Sequence, residues 1–256
     1  MSARFITFVN QKGGVGKTTT VVSLAAALGR RGQKVLLIDL DPQANATSAV
    51  NVDGRDRRGT YDALIEEVNI DECIVQVPAE SFDVMPANRE LSGAEVELVP
   101  QMARERRLAN ATAPLREKYD WILVDCPPSL GLLTINALTA SDHVIIPVQC
   151  EYMALEGLSR LAETVNLVQR NLNPNLSVMG VVLTMFDPRT KLAQQVVDEV
   201  RGHFPQTFET VIPRSVRLGE APSHGQSIFL YESGGKSAAA YDALAVELLA
   251  RGGVPV

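Results

Sequence analysis

The chain has 256 residues, 46% of them hydrophobic and 21% charged, with a formal net charge of −6 and a pI near 5.2. That composition supports a large core and excludes both a disordered chain and a surface that is basic overall, so any nucleic-acid contact has to come from a local patch. Cys73, Cys126 and Cys150 form no CxxC pair and have no histidine at zinc-ligand spacing, and no apolar stretch reaches a signal-peptide core or the ~20 residues of a membrane span. Free thiols in a cytoplasmic protein are the expectation.

Residues 5–9 are a short apolar run that predicts a buried strand. It leads into Gln11-Lys12-Gly13-Gly14-Val15-Gly16-Lys17-Thr18-Thr19, and residues 21–28 then repeat apolar positions with helical periodicity. A strand, a glycine-rich turn and a helix in that order suit an anion, because glycines let backbone N–H groups turn inward at the positive end of the helix. Lys17 is placed to reach the β- and γ-phosphates of a nucleotide, and the Thr18 hydroxyl to ligate Mg²⁺. An ordinary Gly-rich turn would match these positions in on the order of one chain in a million. The general P-loop pattern has a glycine six residues before the lysine; that position is Gln11, and a second lysine, Lys12, stands beside it.

A second strand is expected over residues 35–38, ending in Asp39-Leu40-Asp41-Pro42-Gln43. Asp before Pro is a common turn opener. After a P-loop, the same carboxylates sit where open α/β sheets bind ligands, and Asp41 could orient an attacking or metal-bound water. Residues 45–83 are the least regular part, with a charged, solvated loop at 53–58, a short helix over 60–68 opened by a Thr60 cap, and a short strand over 82–86. Residues 88–117 are charge-rich, and Pro100 is expected to divide them into two helices. Their mixed charges fit an exposed face, with a partner-docking surface as the alternative.

An apolar strand over 121–124 ends in Asp125, the arrangement in which a carboxylate supports Mg²⁺ or its water shell. Such strands are common, and this one gains meaning from the P-loop. Cys126 reads as a small buried residue. Strands over 144–148 and 178–184 alternate with helices over 154–172 and 191–204, which predicts an α/β fold: a doubly wound, mostly parallel sheet with helices on both faces. Between Asp187 and Glu220, five Arg/Lys balance five acids. Only folding could gather Arg189, Arg214, Arg217 and Lys236 into one face; otherwise they are solvated surface. His143, His203 and His224 stand at no spacing that suggests catalysis.

Taken together, residues 12–19, 39–45, 91–99, 125–138, 147–158, 183–190 and 212–225 resemble the ParA/Soj chromosome-partitioning ATPases, the deviant Walker group that also contains MinD. The resemblance covers nearly the whole chain, as a single ParA-type domain over residues 1–256. Asp41-Pro42-Gln43 and Arg217-Leu218-Gly219-Glu220-Ala221-Pro222-Ser223-His224-Gly225 look like ParA rather than MinD. The resemblance implies a homodimer with two ATP molecules sandwiched between subunits, Lys12 crossing to the partner's phosphates as an arginine finger does. Gly13, Gly14, Val15, Gly16, Lys17, Thr18 and Thr19 would cradle the phosphates. Thr18, Asp41 and Asp125 would serve Mg²⁺ and its water, and Met185, Pro213, Arg214 and Ser215 would border the adenine. It further implies sequence-independent binding to double-stranded DNA through Arg189 and Arg217, with Arg214 beside them, and release by a ParB-type centromere-binding partner that stimulates hydrolysis. The expected location is the cytoplasm, on the nucleoid.

Ala44 stands where many relatives carry Gly, and Ser215 replaces a common Asn. Only four residues precede the first strand, so the helix-turn-helix extension of some plasmid relatives is expected to be missing. The rival readings are a membrane-cycling ATPase of the MinD kind, which the tail Leu249-Ala250-Arg251-Gly252-Gly253-Val254-Pro255-Val256 suits poorly, and an electron-transfer ATPase, for which Cys126 and Cys150 do not match the cluster pattern.

Overall fold

The computed structural model describes residues 2–66, 68–151 and 154–254. Eight strands form one sheet: β1 (Arg4–Phe8), β2 (Val35–Asp39), β3 (Val75–Val77), β4 (Phe82–Met85), β5 (Trp121–Asp125), β6 (His143–Gln149), β7 (Ser177–Phe186) and β8 (Val211–Pro213). Their order is β3-β4-β2-β5-β1-β6-β7-β8. Every pairing is parallel except the edge pair β3 and β4. The expected doubly wound sheet is therefore present, with one antiparallel edge strand that lies in the stretch read as irregular.

The central strands are apolar on both faces because both faces are covered. Phe5, Leu36, Ile38, Ile122, Val124, Val144 and Ile146 point into one core. Ile6, Phe8, Val35, Leu37, Leu123 and Ile145 point into the other. Alternation along each strand thus distributes side chains between two layers of helices. The first core takes in residues of α3 (Thr60–Ile65), α4 (Leu91–Leu98), α5 (Arg107–Thr112), α6 (Leu132–Ala140), α7 (Ala154–Asn171) and α8 (Lys191–His203). The second is covered by α1 (Lys17–Arg30), α2 (Asn45–Ser48), α10 (Ile228–Tyr231) and α11 (Lys236–Arg251), and α9 (Arg217–Ser223) precedes α10. Each large apolar side chain buried this completely contributes about 1.5–3 kcal/mol relative to exposure.

Two local expectations change. The helix after the charged loop runs Thr60–Ile65, and the residue before it is Gly59, whose N–H donates to the Asp62 carboxylate at 2.8 Å. Thr60 is no cap: its hydroxyl donates inward to the Asp39 carbonyl at 2.8 Å, because its side chain is fully buried. Pro100 does separate two helices, α4 and α5, as expected.

Candidate nucleotide site

Parallel register brings the ligand-end residues together. Asp125, the last residue of β5, is level with Phe8 of β1 on one side and Asp39 of β2 on the other. The loop leaving β1 therefore begins beside two carboxylates. Gly14 and Gly16 have φ of +75° and +80°, a left-handed backbone that L side chains adopt only with strain, so glycine is required for the turn. Neighbouring strands pin the loop at two points. Asn10 donates its side-chain N–H to the Pro147 carbonyl at 2.7 Å, and Thr184 donates its hydroxyl to the Val15 carbonyl at 2.7 Å.

Lys17 and Thr18 open α1 and turn inward. Lys17 is 8% exposed with Nζ 3.7 Å from Asp125 Oδ1, and the Thr18 hydroxyl donates to Asp125 Oδ2 at 2.6 Å. The Lys17 contact exceeds hydrogen-bond length, and Asp125 Oδ1 makes no hydrogen bond among the described residues. A fully buried carboxylate oxygen without a donor, next to a hydroxyl, is a hard-oxygen set that fits Mg²⁺ or one of its waters. Burial pushes the Asp125 carboxyl up from the ordinary carboxylate range, and the Lys17 charge and the Thr18 hydrogen bond pull it back. Asp39 is pushed up to about 7, first by burial and then by the Asp125 charge, against hydrogen bonds from Thr47 and the Asp41 N–H.

Asp41 is 5% exposed, and its Oδ1 accepts the Gln43 N–H at 2.9 Å. It faces a cavity of about 640 Å³ walled by residues 12–19, Gln43, Asn45, Ser48, Ala49, Pro128 and Met185, and by Leu218, Gly219, Pro222 and Ser223 of α9. That volume suits a nucleotide-sized ligand. Of the four expected adenine neighbours, Met185 lines this cavity, whereas Pro213, Arg214 and Ser215 are not among the described lining residues. The α9 wall was missed by residue chemistry, although the run from Arg217 to Gly225 had stood out.

Lys12 behaves unlike Lys17. Its side chain is 53% exposed, and its ammonium lies 3.0 Å from Glu151 Oε2, beyond the end of β6. Gln149 donates to the other oxygen of Glu151, and Arg214 lies 3.9 Å from it. Glu151 had carried no expectation; an acid just past a strand end at the ligand edge is the only signal that could have found it.

The three arginines expected on a DNA face are each ion-paired. Arg189, 85% exposed, grips Asp187 bidentately at 2.9 and 2.7 Å, which lowers Asp187 to about 2. Arg217 reaches Glu220 at 2.9 Å and Glu232 at 3.6 Å. A phosphate competes with these carboxylates for the same guanidinium groups. The histidines have structural partners: His143 meets Ser177, His203 the Glu199 carbonyl, and His224 stacks on Tyr231.

A parallel sheet with a glycine-turned loop at the head of a helix, an inward Lys-Thr pair and a carboxylate at the neighbouring strand end defines a P-loop nucleoside triphosphatase, and the extra Lys12 marks the deviant Walker group. The model of a family described as an AAA domain matches residues 3–178. The sporulation initiation inhibitor protein Soj of Bacillus subtilis is 53% identical over 97% of this chain and 99% of its own length. The chromosome partitioning protein ParA of Myxococcus xanthus is 52% identical over 97% of this chain and 88% of its own. A cobyrinic acid a,c-diamide synthase from Mycobacterium smegmatis, solved with an ATP analog and magnesium, superposes with a TM-score of 0.83 at 36% identity, over 96% of this chain and 94% of its own. The chain belongs to the ParA/Soj family of chromosome-partitioning ATPases.

Proposed function

We propose that this chain is a DNA-partitioning ATPase whose two-subunit, ATP-bound form holds double-stranded DNA without sequence preference and lets go when a ParB-type partner stimulates hydrolysis. ATP and Mg²⁺ are its cofactors. Lys17 and the turned N–H groups of residues 13–19 bind and orient the phosphates, and Thr18 and Asp125 hold the ion, which when bound neutralises charge on the β- and γ-phosphates. Asp41 orients the attacking water. Lys12 completes the site of a second subunit, and Arg189, Arg214 and Arg217 take DNA phosphates. The protein works on the nucleoid in the cytoplasm.

The observation that carries the reading is the opposite placement of the two loop lysines. Lys17 is 8% exposed against Asp125, whereas Lys12 is 53% exposed and paired with Glu151 at the cavity rim. A half-exposed lysine at the rim of its own cavity is placed to reach toward another one.

A membrane-cycling role has less support. Among the described residues no helix is long and apolar enough to cross a membrane. Arg251, the basic residue at the end of α11, is occupied by the carbonyls of Met179, Gln206 and Thr207 and lies over the Phe208 ring. The deciding experiment is DNA retention with and without ATP at two salt concentrations, for the native chain and Arg217→Glu, beside sedimentation with liposomes. Salt-sensitive, ATP-dependent retention that Arg217→Glu loses is expected. ATP-dependent liposome binding without DNA retention would overturn the proposal.

A further inference from the structure

We infer that Asp39, which has no part in the functional reading above, is the positioning residue that holds the Asp41 loop in register for hydrolysis. The inference rests on the proposed role of Asp41.

Asp39 ends β2 and is fully buried. An ionisable side chain at such a place is costly unless donors surround it. Three do, from two directions. Its Oδ1 accepts the Asp41 N–H at 3.1 Å. Its Oδ2 accepts both the Thr47 N–H at 2.8 Å and the Thr47 hydroxyl at 2.7 Å. The Thr47 hydroxyl, having donated to Asp39, accepts the Ala87 N–H at 3.0 Å. The Asp39 carbonyl meanwhile accepts the Thr60 hydroxyl. One carboxylate thus ties together the residue before the Pro42 turn, helix α2 and the chain leaving β4.

This set uses both oxygens of a carboxyl group as acceptors. An Asn offers one acceptor, so either the Asp41 N–H or the Thr47 pair faces a donor instead. A valine leaves three buried donors without partners. The Asp41 carboxylate itself caps the Gln43 N–H, and its backbone is held from behind by Asp39 beside the Leu40 N–H bond to the Asp125 carbonyl, so the Asp39 anchor helps set where the loop presents Asp41. Misplacing a catalytic group by about 1 Å can cost a hundredfold in rate while leaving the ground-state complex intact.

The test is steady-state ATP hydrolysis with Mg²⁺ by the full chain, together with the affinity for a fluorescent ATP analogue. Asp39→Asn and Thr47→Val are expected to lower kcat about tenfold to a hundredfold with KM and analogue affinity within about twofold. Thr47→Ser, which keeps the hydroxyl, should return the rate to within about twofold of the native chain. Asp39→Asn combined with Asp41→Ala should be no slower than Asp41→Ala alone, because a residue acting through Asp41 has nothing left to position. Losses that multiply in the double variant, or a parallel loss of analogue affinity, would make Asp39 a general structural residue and overturn the inference. Should Asp39→Asn not fold, the Thr47→Val and Thr47→Ser pair decides in the same way. An undiminished rate in Asp41→Ala would remove the reading of Asp41, and this inference with it.

Discussion

Lys12 and Glu151 are ion-paired at 3.0 Å across the mouth of the cavity, with both side chains about half exposed. A pair so exposed stabilises the chain by about 0.2–1 kcal/mol, little enough for a second subunit's phosphates to break. Glu151→Gln should therefore lower the ATP concentration at which dimers form by up to about fivefold, as read by sedimentation velocity. Lys12→Ala should bind nucleotide and stay monomeric. Unchanged dimerisation in both variants would separate Lys12 from assembly.

Lys17→Ala and Asp41→Ala should part company. Removing Lys17 takes away the buried cation over the phosphate cradle and should weaken ATP binding by tenfold or more, on the order of 1.4 kcal/mol. Asp41→Ala should keep ATP and trap the dimer. Equal loss of nucleotide in a filter-binding assay would contradict both roles.

Asp187→Asn frees Arg189 from its bidentate partner and should tighten DNA retention, most clearly at low salt. The pH dependence follows from the sign of the shift. Asp187 is lowered to about 2, so the pair's contribution is present above the unfolded value and is lost only as pH falls through that region. Between pH 5 and 8 the pair should stay ionised and contribute no pH dependence to retention in fluorescence anisotropy. A titration within that window that Asp187→Asn abolishes would contradict this assignment.

Ala44 has φ of +53°, in the left-handed region, at the turn between Asp41 and α2. Ala44→Gly should relieve about 1 kcal/mol of strain and raise the denaturation midpoint. Gly29→Ala should do the reverse, because a Cβ there would lie 2.1 Å from the Ser81 carbonyl oxygen and force α1 off the sheet, at a cost of about 1–3 kcal/mol. Urea unfolding of the two variants checks both signs.

All three cysteines are buried, and burial pushes the Cys73 and Cys150 thiols up to about 11 and Cys126 higher still. Iodoacetamide at pH 8 should leave them unmodified in the native chain and label them in urea, since the thiolate is the nucleophile. Rapid labelling of Cys126, beside Asp125, without denaturant would show that the Asp125 strand end opens.

Much of this architecture was legible because local signals agreed. The loop from Gln11 to Thr19 sits between a strand and a helix that each announce themselves by periodicity, and Asp41 and Asp125 follow apolar runs in order. What escaped depends on contacts between distant segments. Glu151 matters through Lys12, 139 positions away in sequence. Thr60 looks like a helix cap until the Asp39 carbonyl arrives from β2. Helix α6 went unread because it is buried on nearly every side, with Thr134, Asn136 and Thr139 buried among its apolar residues, so the sequence shows no 3.6-residue stripe. The arginines were visible; Asp187 and Glu220 stand two and three positions from their partners, whereas Glu151 and Glu232 reach Arg214 and Arg217 from distant segments, and charge counts do not say which pairs form.

Helix α9 begins with Arg217 and, within its next six residues, walls the nucleotide cavity with Leu218, Gly219, Pro222 and Ser223. Two ligands proposed for this protein therefore press on one short helix of about two turns. Equilibrium linkage then requires reciprocity: whatever factor bound nucleotide adds to the hold on DNA, bound DNA must add to the hold on nucleotide. The chromosome would thus be an effector of its own carrier, raising its affinity for ATP wherever the carrier has already landed.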